Sequence, residues 1–385
     1  MLFLTAPNIP TRPSDVVSAI VEYVDSVMRE GVYHPCELPP EAMQVYHADY
    51  YLAQVENGGH SQFIYNAGVN FPEMSADALA GLEAMGLPEH HRILNEMIGW
   101  ANANPEEATA QNGFATCAAL LDELDARFCA ADDQTPMIQR SAKWIATWPN
   151  LRLVEDDRYA AEIQAFAQLN PHLAARKIWQ GVQALLYQMT DRLQLTVAVA
   201  CGAVTPDPEI KLAVPGGSHM EIEGQMCLAF SVSTDKGDRL CVSEDTGGRL
   251  YEFLESPPLS ETATAEQRDV YRPMAAGARL SIVSETLVRS FYETAQRTLA
   301  CEAIDLLLRK AALAPSSAVT AWRLRDNSAV WIVVSGQNHV VATTSPDSAT
   351  LAQRDGTQLA SVTRAEIEQH AAEAERGGPS MQQAS

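Results

Sequence analysis

The spacing of apolar residues changes near residue 193, and this change constrains the fold of the chain more than any other feature. Before it, apolar residues recur every three or four positions, as at Val17, Ile20 and Val24, which is typical of amphipathic helices. After it, short β-branched runs are separated by turn residues, which indicates short strands. A chain of 385 residues also exceeds what one core usually serves. We therefore expect an all-α domain followed by an α+β domain.

The first domain, residues 1–193, is predicted to be helical throughout. Proline or glycine lies at most of the joints between its apolar-periodic segments, as helix ends require. No strand is predicted in this half. The expected helices lie at residues 14–29, 41–55, 75–86, 88–102, 112–130, 136–148, 155–169 and 171–192.

The second domain, residues 194–363, is predicted to combine short antiparallel strands with one long helix, from Ser284 to Leu313. A short charged helix from Arg364 to Glu375 and a disordered tail are expected to complete the chain, over residues 364–385. The expected strands lie at residues 193–204, 226–233, 239–243, 249–256, 318–326, 329–335 and 339–345.

Charge and composition exclude several classes of protein. The net charge is −22, and residues 1–195 hold 25 acidic but only 11 basic side chains. Direct binding of nucleic acid needs clustered Lys and Arg, so we do not expect it. The opening MLFLTAP does not read as a signal peptide, and no apolar run approaches a membrane span. Seven cysteines without a CxxC pattern favour reduced thiols, so the sequence predicts a cytoplasmic protein.

The stretch YYLAQVENGGHSQFIYNAG, residues 50–68, is predicted to contain a corner between two helices. The helix 41–55 needs a residue with positive φ at its end, which Asn57 or Gly58 can supply. Gly59 then allows an abrupt turn and close approach of the two helices.

Two interpretations of the polar residues at this corner remain open. Gln62 and Asn66 are four positions apart and so share a helix face. Their amides, with Asn57, are expected to satisfy backbone groups at the helix ends and fix the corner. The alternative is a ligand pocket formed by Asn57, His60, Gln62 and Asn66, with Glu56 as a general base.

This corner carries a family resemblance. The motif consists of Glu56, Asn57, Gly58 and Gly59, followed by Gln62, Phe63 and Asn66. It resembles the DMP-type helical domain shared with a bacterial DNA-mimic protein, over about residues 15–170. The resemblance implies an all-α domain. In the best-understood member it also implies an acidic surface that imitates DNA and occupies the DNA-binding face of a transcriptional regulator. His60 stands where that family usually has an aromatic residue, and the family offers no catalytic residues to transfer.

Motifs for catalysis and metal binding are missing from the sequence. It contains no P-loop, GxGxxG, GxSxG or HExxH, so no metal and no cofactor is predicted, and a catalytic role is disfavoured. His90 and His91 lack ligand partners at metal spacing and are expected to be solvated or to cap a helix.

Three functional hypotheses follow. The first, which we prefer, is an acidic interaction protein whose partner has a basic surface, with a DNA-binding protein as one such partner. Its expected binding face consists of Asp122, Glu123, Asp125, Asp132 and Asp133. The second is an enzyme or small-ligand protein with its site at the corner. The third is that the α+β half holds the activity and the helical half supplies specificity. The oligomeric state is not predicted.

Overall fold

The computed structural model describes residues 2–5, 12–113, 117–255 and 274–378. The chain divides into two compact units, Met1–Leu173 and Ala174–Ser385. The sequence placed the division at residue 193. The helix between the two positions has apolar residues, among them Ile178, Val182 and Leu185, that belong to the core of the second unit.

The first unit consists mainly of helices around one core, as predicted. Buried side chains from most of its helices meet there, including Tyr23, Tyr51 and Phe128. Its helices are α1 (Pro13–Glu30), α2 (Pro40–Ala67), α3 (Phe71–Ala84), α4 (Pro88–Ala103), α5 (Pro105–Thr109), α6 (Ala119–Gln134), α7 (Met137–Ile145) and α8 (Asp156–Ala167).

The expectation that this half contains no strand is wrong at one place. Strands β1 (Leu2–Thr5) and β2 (Leu151–Val154) form a two-stranded parallel sheet. Each strand has only four residues, too short for an alternating pattern to be recognised in the sequence.

The second unit contains two antiparallel sheets and five helices among its described residues. In both sheets the strands are neighbours in chain order, so each is a meander. The first comprises β3 (Lys211–Ile222), β4 (Gln225–Thr234), β5 (Gly237–Glu244), β6 (Gly247–Glu255) and β7 (Met274–Ser284). The second comprises β8 (Ala318–Arg325), β9 (Ser328–Ser335), β10 (Asn338–Thr344), β11 (Ser348–Gln353) and β12 (Gln358–Thr363). The helices are α9 (Leu173–Thr190), α10 (Arg192–Gly202), α11 (Glu285–Thr298), α12 (Ala300–Lys310) and α13 (Arg364–Gly377).

The strand expected at residues 193–204 is wrong, because this segment forms α10. The Asp191 side chain accepts a hydrogen bond from the Gln194 backbone N–H at 2.9 Å and caps the helix. Every residue from Gln194 to Gly202 is buried. A helix that is apolar on all sides is stable where it is surrounded, and α10 packs against β8 of one sheet and β6 of the other. Surrounding contacts outweigh the strand preference of the β-branched residues.

The long helix expected from Ser284 to Leu313 is two helices. Leu299 lies between α11 and α12 with φ 49° and ψ 49°, a left-handed conformation that is unfavourable for leucine. The helical spacing continues across this position, so the break is not visible in the sequence. The strands expected at residues 318–326, 329–335 and 339–345 match β8, β9 and β10.

Three further predictions concern the C-terminal helix and tail, the lack of membrane spans and the cysteines. The short helix near the C-terminus is confirmed as α13, whereas residues 379–385 of the expected tail lie outside the described residues. No helix in the described ranges is long and apolar enough to cross a membrane. Three cysteines are exposed and four are buried, and none of the seven, all of which lie in the described ranges, forms a disulfide.

Candidate functional site

The predicted corner lies inside α2, at Gly58 and Gly59. Gly58 has φ −153° and ψ 22°, and Gly59 has φ 75° and ψ −175°. The second combination is essentially restricted to glycine. The positive φ was expected at Asn57 or Gly58, which is wrong by one or two residues. A Cβ at position 59 would overlap the Asp125 carboxylate, so glycine is required where the corner meets α6.

A chain of hydrogen bonds connects the two sides of the corner to α6. Asp125 accepts a hydrogen bond from the His60 backbone N–H at 2.8 Å and a second one from His60 Nδ1. The other ring nitrogen, His60 Nε2, lies 2.8 Å from the Tyr51 hydroxyl. A neutral imidazole with its proton on Nδ1 satisfies all three groups, since Tyr51 can then donate to Nε2.

This chain is buried at the Tyr51 end. Tyr51 and His60 are both fully buried, and burial, followed by the charge of Asp125, raises the pKa of Tyr51 well above its usual value. The Tyr51 hydroxyl therefore remains protonated and available as a donor. The arrangement joins both segments of α2 to α6 and gives His60 a structural role.

A second network is formed by amide side chains. Gln54 Oε1 accepts hydrogen bonds from Gln62 Nε2 at 2.9 Å and from Asn66 Nδ2 at 2.6 Å. Gln62 is buried, and its Oε1 has no hydrogen-bond partner among the described residues. A Cβ at Gly58 would overlap the Gln62 amide. The structure thus brings Gln62 and Asn66 together through Gln54, a residue that the sequence analysis did not single out.

The remaining motif residues divide between the core and the surface. Phe63 is fully buried, with its ring centroid 5.1 Å from that of Tyr51 and 5.8 Å from that of Phe71. Glu56 and Asn57 are exposed. The four or five polar side chains of the alternative pocket therefore do not converge on one point.

The five acidic residues of the expected binding face also divide. Asp125 binds His60, and Asp132 lies 3.3 Å from His90 Nε2 and accepts a hydrogen bond from the Met137 backbone N–H at 2.7 Å. Both carboxylates therefore join α6 to neighbouring elements.

Asp122, Glu123 and Asp133 are exposed. Eleven positions separate Asp122 from Asp133, or about three turns and about 16 Å along α6, so these two share a face. Glu123 lies 3.9 Å from Arg127. Three of the five predicted residues can therefore meet a partner from the surface of α6.

The expectation that His90 is solvated is wrong. His90 is buried rather than solvated, and burial lowers its pKa although the neighbouring Asp132 acts in the opposite direction. His47 forms a similar pair with Asp77 of α3, at 2.7 Å. A buried histidine thus pairs with a partly exposed aspartate at three helix contacts. The sequence hides these pairs because their members are 30 to 65 positions apart.

Among the described residues, one group of side chains could hold a metal ion. The ligand atoms of Cys117, Asp122 and Asp125 all lie within 4.8 Å of one another, and thiolate with carboxylate suits several divalent cations. However, desolvation and the Asp122 carboxylate raise the Cys117 pKa to about 12. The thiol is therefore protonated at neutral pH, and it donates a hydrogen bond to the Ala118 carbonyl at 3.7 Å.

The helical unit has a large excess of acidic side chains over basic ones. Residues 1–173 hold 24 acidic and 8 basic side chains, a net charge of −16 with His neutral. Between Arg29 and Arg127 there are 15 acidic side chains and a single basic one, Arg92. Arg92 lies 3.0 Å from Glu89 and 3.6 Å from Glu96, so its charge is already neutralised.

Residues 36–148 match the family described as DMP19-like protein. This DMP19-like segment extends from just before α2 to just after α7 and includes the corner and all of α6. The match confirms the predicted resemblance to a DMP-type helical domain. No curated protein and no solved structure matches the chain.

The sequence predicts the corner of the DMP19-like segment but not the residues that contact the side chains there. Gln54, Tyr51 and Cys117 have ordinary helix or loop surroundings in the sequence. The spacing of the paired aspartates, Asp125 and Asp132, was one available signal. Seven positions are two helical turns, so both lie on the same face of α6.

Proposed function

We propose that the helical unit binds the basic surface of a partner protein, and that the partner is a DNA-binding protein whose DNA site is thereby occupied. The observation that carries this proposal is the charge of the DMP19-like segment, which holds 16 acidic and 4 basic side chains. Eleven of the 16 acidic residues are exposed, whereas Arg92 is neutralised by Glu89 and Glu96. The exposed residues are Glu37, Glu41, Glu56, Glu73, Glu83, Glu89, Glu106, Glu107, Asp122, Glu123 and Asp133.

Such a surface favours a basic partner for two physical reasons. A field of one sign steers an oppositely charged protein toward it and raises the association rate. It also repels duplex DNA and other acidic proteins, which gives specificity. A surface on a DNA-binding protein is basic because it neutralises phosphates, so it has the complementary charge.

The corner remains the site of the competing hypothesis, a small ligand bound by polar side chains. Five of its seven motif residues have structural contacts, and the other two, Glu56 and Asn57, are exposed. Gly59 leaves space for the Asp125 carboxylate. Gln62 and Asn66 both donate hydrogen bonds to Gln54, and Phe63 lies in the core. We therefore place the binding surface on the exposed acids instead of at the corner.

The test removes exposed charge without touching the histidine pairs. A variant with Asp122→Asn, Glu123→Gln and Asp133→Asn is compared with one carrying Glu155→Gln, Asp156→Asn and Asp157→Asn, three exposed acids outside the DMP19-like segment. Tagged full-length protein captures partners from a lysate of the source organism, and mass spectrometry identifies them. A purified partner is then titrated against each variant at several salt concentrations.

We expect a DNA-binding protein that duplex DNA displaces, with an affinity that falls about tenfold or more in the first variant and little in the second. The salt dependence should weaken in the first variant as well. Equal affinity of both variants, or capture that duplex DNA does not disturb, would contradict the proposal.

A further inference from the structure

The helical unit contains an apolar groove away from the corner. It lies where the end of α2, the beginning of α3, the end of α4 and the short helix α5 meet, and its volume is about 500 Å³. Its apolar lining includes Ile64, Tyr65, Val69, Phe71, Ala101 and Ala108. The groove is formed entirely within the DMP19-like segment.

Two large side chains at this groove, one at the end of α2 and one on the turn that follows it, are exposed. Val69 is 95% exposed and Tyr65 is 59% exposed. Val69 belongs to a single 3₁₀ turn, Gly68–Asn70. The Gly68 N–H donates to the Ile64 carbonyl at one end of this turn, and the Phe71 N–H donates to the Gly68 carbonyl at the other. Val69 and Tyr65 line the same groove, and adjoining exposed apolar side chains mark binding surfaces, whereas single ones do not.

The charges near the groove are acidic. Helix α5 supplies Pro105, Ala108 and Thr109 to the lining, and it also carries the exposed Glu106 and Glu107. Arg92, the one cation in the sequence around the groove, is nine positions before Ala101, or about 13 Å along α4. A partner with basic residues beside an apolar one fits this combination.

We propose that this groove seats an apolar side chain carried on a basic segment of the partner protein. The inference rests on the proposed function and assigns the apolar contact of that interface. A buried apolar anchor supplies most of the binding energy at a typical interface, whereas surrounding charges govern the association rate. A second copy of this chain is disfavoured as occupant, because this chain is itself acidic, with a net charge of −22.

The test uses the full-length protein and synthetic helical peptides. The first peptide has leucine at positions i, i+3, i+4 and i+7 and lysine elsewhere. The second replaces the leucines by serine, and the third replaces the lysines by glutamate. The groove variant carries Tyr65→Ser and Val69→Ser, which are exposed positions and should leave folding intact. Leu169→Ser, at a position 72% exposed and outside the DMP19-like segment, is the matched control.

Fluorescence anisotropy at about 50 and 300 mM NaCl measures the affinities. We expect the groove variant to bind the leucine–lysine peptide about tenfold more weakly at both salt concentrations, while Leu169→Ser binds it like the wild type. Unchanged binding by the groove variant overturns the inference. So does equal binding of the leucine–glutamate peptide, or self-association of the wild type that Val69→Ser abolishes.

The serine–lysine peptide separates this inference from the proposed function. It lacks an anchor and should bind at low salt only, through the acidic surface. If the variant with Asp122→Asn, Glu123→Gln and Asp133→Asn binds it like the wild type, those three acids are not the binding surface. The groove is tested separately, by the affinity of the groove variant for the leucine–lysine peptide.

Discussion

Gly59 is the residue on which the corner of α2 depends. Its conformation is nearly restricted to glycine, and its missing Cβ leaves the space that the Asp125 carboxylate occupies. The corner therefore needs this glycine for two separate reasons, one in the backbone and one in the packing.

We expect Gly59→Ala to lower the free energy of unfolding by about 3 kcal/mol, because it adds a steric overlap to a strained backbone. Gly86→Ala is the matched control, since Gly86 also has a positive φ of 68° but its added Cβ would meet only the Arg140 guanidinium, at an ordinary contact distance of 3.7 Å. The control should cost about 1 to 2 kcal/mol. Urea unfolding followed by circular dichroism measures both. Equal losses would show that the contact with Asp125 contributes nothing.

The raised pKa of Asp49 makes the stability of the protein depend on pH. Burial, and then the negative charge of Glu56, raise its pKa. The folded protein therefore holds this proton more tightly than the unfolded chain, whose aspartates titrate near about 3.9. Stability from this group is present at low pH and is lost as pH rises through the folded pKa.

We accordingly expect Asp49→Asn to be more stable than the wild type at pH 7, with the difference shrinking as the pH falls toward about 4. Glu41→Gln removes the same charge from the first turn of α2, where a carboxylate is favourable, and should be slightly less stable than the wild type. Urea unfolding across this pH range distinguishes them. A gain for Asp49→Asn that is as large at pH 4 as at pH 7 would contradict the assignment.

Among the elements, α10 shows how tightly the second unit is assembled. It is buried from Gln194 to its end and packs against strands of both sheets. Gly202, its last residue, approaches β8 so closely that a Cβ would overlap the Ala321 carbonyl oxygen. Backbone atoms on both sides make this contact, so neither side can yield cheaply.

We expect Gly202→Ala to destabilise the second unit by about 2 to 3 kcal/mol through overpacking. Gly216→Ala in β3 is the control, because nothing lies within 4 Å of its Cβ position, and it should change stability by less than about 0.5 kcal/mol. Hydrogen exchange of the α10 and β8 amides reports on this unit. If those amides are protected equally in both variants, the contact is less rigid than the structure indicates.

At the scale of the whole molecule, the charge is concentrated in one unit. Residues 1–173 have a net charge of −16, and residues 174–385 have −6 from 25 acidic and 19 basic side chains. The more acidic unit is also the one that contains the DMP19-like segment. Long-range attraction of a basic partner would therefore act mainly on the helical unit.

Most of the helical unit follows from local sequence. Proline at the start of α1, α2 and α4, apolar spacing of three and four, and the glycine pair in α2 are all local signals, and each predicts an element near its observed place. The acidity and the family motif are likewise properties of the sequence alone.

The tertiary structure decided what those elements contact. The sequence marks Asp122, Asp125 and Asp132 as equivalent acids, but only the packing of α6 directs Asp125 to His60 and Asp132 to His90. The strand-like segment 193–204 becomes a helix because two sheets bury it on all sides. In each case the deciding free energy comes from residues far apart in the chain, which local periodicity cannot report.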